Sequence, residues 1–402
     1  QLRADATSAT SATSGPRNVL GPRSGPVEGT FRIPVVLGLF SNSGASAPFT
    51  DDELAQTYFG AGSGTITDFY DEMSFGRVEL LGDVFDWVEA PRPDTAYTVG
   101  ESGIPGPPYP GLGGGGAWNF VWELLELHDG VDWGLYDNDG PDGLPNSGDD
   151  DGFVDVLAVI HPTRGGECGG SGSSDRIWSH RWSLSSPFGT PFTTTTPSQS
   201  GGFIRIDDYT IQPSTACSGG GVSEIGVFAH ELGHAFGLPD LYDTDGGHSG
   251  AGSWDLMSSG SWGCGNATPQ QPCHMGAWSK SVLGWVDVVT IDPGNDLGVV
   301  SLPPVESSDT VFRVDAQDGS GDFFLIENRQ RIGYDLQLPE EGLLIWRIDQ
   351  PLVDATWPSN RVNAGQQMGV WLVQADGEDD LGFGRGRGDP DDPFPGRMGV
   401  TA

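Results

Sequence analysis

The sequence predicts an α+β fold in which a mixed part, residues 31–291, is followed by a β-rich region, residues 292–402. In the mixed part, apolar runs typical of buried strands alternate with segments whose apolar residues recur at helical spacing. In the second part, short apolar runs are separated by turn residues, as in β-sheet regions. The chain also has 63 glycines and 30 prolines among its 402 residues, which indicates many turns and argues against a helical bundle.

The elements can be assigned in order along the chain. Residues 1–30 are rich in Ser, Thr, Ala, Gly and Pro, and we expect a flexible lead or the remnant of a prosegment there. A capping box that begins at Thr50 predicts a short helix. Further helices are expected at 66–75, 117–128 and 223–238, with a long polar loop before the last of them. Strands are expected at 31–40, 77–88, 153–160, 298–302, 310–315, 322–327, 342–349 and 369–374.

One of these helices contains the pattern HExxHxxGxxD, which runs from His230 to Asp240. Side chains four residues apart on a helix lie on the same face, about 40° apart in projection. His230 and His234 can therefore both bind one metal ion, and Glu231 can hold a water on that metal. The apolar residues of the same helix cluster on the opposite arc. We therefore expect the histidines to face a cleft while the rest of the helix packs in the core.

The third metal ligand is assigned by spacing and by elimination. No glutamate occurs between Glu231 and Glu306, so no nearby downstream glutamate can supply it. Asp240 has the Gly-x-x spacing that returns the chain directly to the metal. Asp243 is better suited to hydrogen bonding within the turn, and His274 is a weak alternative. The remaining candidates are Asp245, Asp255 and His248, of which His248 is expected to be exposed in a Gly/Ser loop.

Downstream of the histidines, Met257 lies in the turn-rich segment SWDLMSSGSW. The segment HELGHAFGLPDLYD followed by SWDLMSSGSW resembles the immune inhibitor A family of secreted bacterial zinc metallopeptidases. Segments at 68–80, 151–161, 176–182, 323–330 and 342–349 agree, so the resemblance spans about residues 31–396. It implies a metzincin-like catalytic domain in residues 31–291 with one catalytic Zn²⁺. It also implies structural Ca²⁺ and the β-rich region that follows.

The resemblance and the residues together assign roles within the site. In metzincins a methionine turn lies beneath the metal, so Met257 is expected to form a hydrophobic floor and not to be a ligand. Most metzincins have a third histidine where this chain has Asp240, and a carboxylate there fits the immune inhibitor A type. Glu231 is the expected general base, which later returns its proton to the leaving amine. Tyr242 is a candidate for stabilising the oxyanion besides the zinc.

A run of acidic residues upstream resembles a calcium-binding loop. Alternate Asp oxygens with Gly at the bend can surround a hard cation at ~2.3–2.6 Å. The run lacks the closing Glu and the flanking helices of an EF-hand, and the alternative is a solvated acidic loop. The candidate ligands are Asp137, Asp139, Asp142, Asp149, Asp151 and Asp155.

The charge of the chain restricts its partners, and its apolar runs and cysteines predict membrane topology and disulfides. The chain has 19 basic and 56 acidic residues and a net charge of −37, which argues against nucleic acid and anionic membranes as partners. No apolar run approaches ~18 residues, so no membrane span is expected, and no signal peptide is visible. The four cysteines allow three pairings, of which we favour the disulfides Cys168–Cys217 and Cys264–Cys273.

These observations predict a secreted, extracellular zinc endopeptidase that acts on protein or peptide substrates as a monomer. The main alternative is a catalytically inactive, calcium-stabilised binding or adhesion protein on a protease-like scaffold. The intact Glu231 argues against this alternative, because an inactive scaffold need not keep the base. A thermolysin-type enzyme is disfavoured because the downstream glutamate ligand is missing.

Overall fold

The computed structural model describes residues 20–21, 25–44, 46–109, 111, 113–128, 130–265, 268–294, 299–397 and 399–400. Most of the lead expected at 1–30 therefore lies outside the described residues, as does Gly298, the first residue of a predicted strand. Helices and strands alternate in the first part of the chain, and the α+β class is confirmed. No helix in the described ranges has both the length and the apolar character needed to cross a bilayer.

The described residues form eight α-helices and thirteen strands. The helices are α1 (Asp51–Phe59), α2 (Ile66–Ser74), α3 (Asp94–Thr98), α4 (Ala117–Leu127), α5 (Ser185–Phe188), α6 (Ile225–Ala235), α7 (Ala277–Val282) and α8 (Gln350–Thr356). The first eight strands are β1 (Gly29–Leu39), β2 (Val78–Val84), β3 (Val88–Glu89), β4 (Leu157–Arg164), β5 (His180–Ser183), β6 (Phe192–Pro197), β7 (Phe203–Ile206) and β8 (Asp208–Thr215). The last five are β9 (Asp287–Thr290), β10 (Thr310–Asp315), β11 (Phe323–Arg329), β12 (Gly342–Ile348) and β13 (Val370–Val373).

The first sheet has the strand order β2-β1-β4-β8-β5, with β3 also paired to β1. Its inner strands are parallel, and β5 pairs antiparallel with β8 at one edge. The predicted long polar loop before the zinc-motif helix is wrong, because β5, β6, β7 and β8 all lie within it. The strand predicted at 153–160 begins only at Leu157, since Phe153 makes an isolated bridge to Arg205.

The second sheet has the order β13-β12-β11-β10-β9 and is antiparallel except for the β9–β10 pair. The strands predicted at 310–315, 322–327, 342–349 and 369–374 match β10 to β13 within two residues at each end. The strand predicted at 298–302 is wrong for its described part, because residues 299–302 have no strand conformation. Instead β9 enters the sheet, and its four residues are all exposed.

Helix α6, which carries the HExxH motif, is packed between aromatic side chains of the first part of the chain. Phe228 contacts Tyr58 with ring centroids 5.2 Å apart, and Phe236 contacts Phe31 at 5.2 Å. The Tyr70 hydroxyl donates to the carbonyl of Ala229 at 2.6 Å. These contacts bury the apolar face of the helix. The opposite face, which carries His230 and His234, lines the cleft.

The second sheet is joined to the rest of the molecule by a buried ion cluster. Arg329, fully buried at the end of β11, pairs with Asp335 at 2.6 Å and donates to the carbonyl of Trp254 at 3.1 Å. Trp254 lies just before the turn that contains Met257. The disulfides Cys168–Cys217 and Cys264–Cys273 are both present, as the sequence predicted. The second sheet therefore contacts the backbone of the segment that leads into the Met257 turn.

Candidate metal centre and active-site cleft

The two motif histidines are held in one tautomer by backbone carbonyls. Nδ1 of His230 lies 2.9 Å from the Leu256 carbonyl, and Nδ1 of His234 lies 2.8 Å from the Leu238 carbonyl. A carbonyl can only accept, so each Nδ1 carries the donated proton. In the neutral rings, each Nε2 then presents a lone pair. Both histidines are less than 9% exposed, and their Nε2 atoms face the same point as Asp240.

Asp240 completes the metal group, which consists of His230, His234 and Asp240. After α6 the chain turns at Gly237, whose φ of 101° disfavours any residue with a side chain. Oδ1 of Asp240 then lies 3.1 Å from Nε2 of His230 and 3.1 Å from Nε2 of His234. Burial would raise the pKa of Asp240, but His234 and His230 hold this pKa below its ordinary range. Asp240 is therefore an anion whose Oδ1 faces the Nε2 atoms of both histidines.

This donor set fits a zinc ion. In a tetrahedral site with zinc–ligand bonds of ~2.0–2.1 Å, neighbouring ligand atoms lie about 3.3 Å apart. The ligand atoms of His230, His234 and Asp240 all lie within 4.8 Å of one another. Two imidazole nitrogens and one carboxylate oxygen are borderline donors that zinc accepts, and three protein ligands leave one position open. Metal-ion chemistry is therefore compatible with the residues present.

Glu231 places a buried carboxylate beside this group. Its Oε2 is buried and has no hydrogen-bond partner among the described residues. An unpartnered buried oxygen is costly, and it fits a group that holds a water or a substrate proton. Burial raises the pKa of Glu231 to about 7, although His230 and His234 oppose this shift. A carboxyl group with such a pKa can both accept and return a proton near neutral pH.

The turn that contains Met257 is ordered by Asp255. The Met257 amide donates to Oδ1 of Asp255 at 2.7 Å, while Ser279 Oγ donates to Oδ2 at 2.8 Å. Burial raises the pKa of Asp255 to about 6. Met257 itself is fully buried and contacts α6 at Gly233. The side chain thus lies beneath the helix that carries the two histidines.

The metal group opens into a cleft of about 750 Å³. The edge strand β5 and the residues before it line one side, where Trp178 is 45% exposed. Sequence reasoning missed Glu167, which also lines the cleft, accepts from Ser179 Oγ at 2.6 Å, and raises the pKa of Glu231. Tyr242, 37% exposed, stacks on the His230 ring with centroids 6.2 Å apart.

The other candidate ligands have different partners. Asp243 accepts from the amides of Asp245 and Gly247, as expected for a carboxylate that orders the turn. His248 was expected to be exposed, but this is wrong, since its side chain is only 6% exposed and contacts the Gly365 carbonyl at 2.8 Å. His274 lies away from the metal group and hydrogen-bonds Glu72 at 2.8 Å.

The acidic loop brings only part of the predicted calcium set together. Asp137, Asp139 and Asp151 present carboxylate oxygens within 4.8 Å of one another. Asp142 and Asp149 instead accept from Ser147 Oγ. Asp155 accepts from the amide of Asn138 at 3.2 Å.

A second residue that sequence reasoning missed is Asn360. It lies 120 residues after Asp240 and is joined to it by two hydrogen bonds. No local pattern marks this asparagine, because its partner is distant in the chain.

Comparison with known proteins gives a consistent result. The model of the family described as immune inhibitor A peptidase M6, catalytic domain, matches residues 49–286. The chain is 32% identical over 246 residues to Immune inhibitor A of Bacillus thuringiensis subsp. alesti, covering 57% of this chain and 34% of that relative. It is 31% identical over 258 residues to the pre-pro-metalloprotease PrtV of Vibrio cholerae serotype O1 (strain M66-2), covering 61% of this chain and 25% of that relative. The chain thus spans a quarter to about a third of these relatives.

Proposed function

Since this chain belongs to the immune inhibitor A family of M6 peptidases, we propose that it is a zinc-dependent endopeptidase that hydrolyses peptide bonds of protein or peptide substrates. One observation carries the proposal. Nε2 of His230 and Nε2 of His234 each lie 3.1 Å from the same oxygen of Asp240, beside the unpartnered carboxylate oxygen of Glu231. Three ligands, an open position and an adjacent base are the parts that a catalytic zinc site requires.

The residues have distinct parts in the proposed reaction. A zinc ion held by His230, His234 and Asp240 would lower the pKa of a bound water to about 7 and would polarise the scissile carbonyl. Glu231 takes a proton from the attacking water and later donates it to the leaving amine. His230 and His234 keep their Nδ1 protons on backbone carbonyls, which holds both rings in place. We assign Tyr242 to stabilise the oxyanion, because its partly exposed phenol lies beside His230 in the cleft.

Substrate binding is proposed along β5. This strand is the end of the first sheet, and no other described strand pairs with its outer edge. An extended peptide can add to such an edge through main-chain hydrogen bonds, and pockets then select its side chains. Trp178 and Trp182, on either side of His180, line this part of the cleft and supply apolar surface.

We also propose a domain organisation, a calcium site and a cellular location for the chain. We propose a metzincin-like catalytic domain in residues 31–291 with Met257 beneath the zinc, and a β-rich region in residues 292–402. We also propose a calcium ion at Asp137, Asp139 and Asp151, supported by the convergence of their carboxylates. We also propose that the chain is secreted and acts as a monomer; the two disulfides, which persist in oxidising compartments, support the secretion.

The test is casein cleavage by the full chain, combined with measurement of bound zinc. We expect about one zinc per chain, loss of cleavage with a chelator and recovery when zinc is restored. Asp240→Ala should weaken zinc binding, whereas Asp245→Ala should not, because Asp245 is exposed in the same turn and pairs with Arg361. A zinc-binding chain that never cleaves protein would instead support the alternative of an inactive binding protein.

A further inference from the structure

The carboxylate of Asp240 has two differently occupied oxygens. Oδ1 faces the two histidine Nε2 atoms at 3.1 Å. Oδ2 accepts from Nδ2 of Asn360 at 2.6 Å. The Asp240 amide also donates to Oδ1 of Asn360 at 2.7 Å. The side-chain amide of Asn360 therefore pairs with both the backbone and the carboxylate of Asp240, which determines which oxygen faces the metal position.

The chemistry of an asparagine suits this position. Its NH₂ group donates to a carboxylate and its carbonyl accepts from a backbone amide, so one planar group serves both atoms. Because the amide is neutral, it orders the carboxylate without adding a charge that would compete with the metal. Asn360 has a φ of 56°, in the left-handed region that Asn adopts more readily than most other residues.

Asn360 belongs to the segment of residues 357–365, which runs alongside the residues before and after Asp240. Before it, Trp357 donates from Nε1 to the Gly237 carbonyl at 2.8 Å. After it, Asn363 donates from Nδ2 to the Leu241 carbonyl at 2.9 Å. The Gly365 amide then donates to Oδ1 of Asp243 at 3.0 Å. Residues 357–365 thus contact residues 237–243 at four points, in matching order.

We propose that Asn360, which lies beyond the matched catalytic domain at 49–286, is a positioning residue for the third metal ligand. This inference rests on the proposed zinc site. Carboxylates that bind metals are themselves oriented by hydrogen bonds, and loss of such a partner lowers metal affinity by ~10–100-fold. Without Asn360, the Asp240 carboxylate can rotate, and ordering it becomes an added cost of metal binding.

The principal test is the zinc affinity of Asn360→Gly in the full chain, measured by competition with a chromophoric chelator. Glycine accepts the left-handed backbone, so this variant removes the side chain without adding backbone strain. We expect zinc affinity to fall ~10–100-fold. The matched control is Arg361→Ala, since Arg361 is the next residue, is exposed and pairs only with Asp245 among the ion pairs of the described chain. Its zinc affinity should equal that of the wild type.

A spectroscopic measurement separates positioning from a merely structural role. Substituted cobalt(II) reports ligand geometry through its visible absorption, which global stability does not alter. We expect Asn360→Gly and Asn360→Ser to change this spectrum, because the serine hydroxyl ends one bond short of the amide atoms. Asn363→Ala removes a fully buried asparagine that does not contact Asp240. It should lower the melting temperature and leave the cobalt spectrum unchanged.

The outcomes distinguish this inference from the proposed function. Zinc affinity of Asn360→Gly and Asn360→Ser within threefold of the wild type, with unchanged cobalt spectra, would overturn the role of Asn360 and leave the zinc peptidase intact. A wild-type chain that binds neither zinc nor cobalt would overturn the proposed function, and the positioning role with it. If one variant does not fold, the other decides the result.

Discussion

Gly233 lies directly against the thioether of Met257. A Cβ added to Gly233 would lie 2.3 Å from Met257 Sδ, far closer than van der Waals contact allows. The glycine between Glu231 and His234 is therefore needed for close packing, although its backbone is helical. This contact couples the helix that carries the histidines to the turn beneath them.

Gly233→Ala is expected to lower the free energy of unfolding. Overpacking a filled core costs ~1–3 kcal/mol, whereas the better helix propensity of alanine gains only about 1 kcal/mol. Denaturant unfolding of the metal-free protein measures the net effect. In a Met257→Ala background the clash is absent, so the same substitution should there be neutral or stabilising. An equal loss in both backgrounds would contradict the proposed packing relationship.

Glu231→Ala is expected to retain zinc and to lose peptidase activity by ~10²-fold or more, because the glutamate acts on the water and does not hold the metal. Zinc content and casein cleavage are measured on the same preparation. Glu224→Gln serves as the control, since Glu224 caps the same helix without a side-chain hydrogen bond to it. The assigned role is rejected if Glu231→Ala cleaves within a few-fold of the wild type.

Millimolar calcium is expected to raise the melting temperature, because a cation among Asp137, Asp139 and Asp151 offsets the repulsion of their carboxylates and binds only the folded state. Replacing these three residues by Asn should remove the response and leave zinc content unchanged.

The control variant for the calcium prediction also removes three negative charges, but at positions outside the acidic loop. Glu28, Glu89 and Glu101 are exposed, and their replacement by Gln should preserve the calcium response. An identical melting temperature of the wild type in calcium and in a calcium-selective chelator would indicate that the loop is only a solvated acidic surface.

Stability is expected to fall in acid, partly through His161. This histidine is fully buried beside Phe40, and burial lowers its pKa to about 3, with a further contribution from His180. The unfolded chain takes up a proton near pH 6.5, whereas the folded protein does so only near pH 3. The contribution of neutral His161 is therefore complete above pH 6.5 and declines as the pH falls towards 3.

Denaturant unfolding at several pH values measures this effect, which amounts to roughly 1.4 kcal/mol for each unit of pKa difference. His161→Phe removes the titrating group, so the decline between pH 6.5 and 3 should become shallower even if its stability at pH 8 is lower. Equal slopes for wild type and variant would show that other groups account for the acid sensitivity.

Local sequence patterns predicted features that depend on residues close together in the chain. The capping box at Thr50 and Glu53 is present at the start of α1, and α4 begins at the predicted residue. The α+β class followed from such patterns. They failed for β5 to β8, because β6 and β8 are rich in Ser and Thr and the whole stretch resembles a polar loop. They failed also for β9, whose residues are all exposed and join the sheet only through pairing with β10.

The features of the candidate metal site likewise fall into those that local sequence patterns predict and those that depend on long-range contacts. The sequence by itself determined that His230 and His234 share one face with Glu231 close by, because helical periodicity brings residues four apart together in any helix. Only the tertiary structure decided that Asn360 pairs with Asp240, that Arg329 contacts the backbone before the Met257 turn, and that Glu167 lies in the cleft. These contacts join residues 75 to 120 positions apart, or elements that meet only when the sheets pack. Such contacts depend on the folded path of the whole chain, which no periodicity within a short segment encodes.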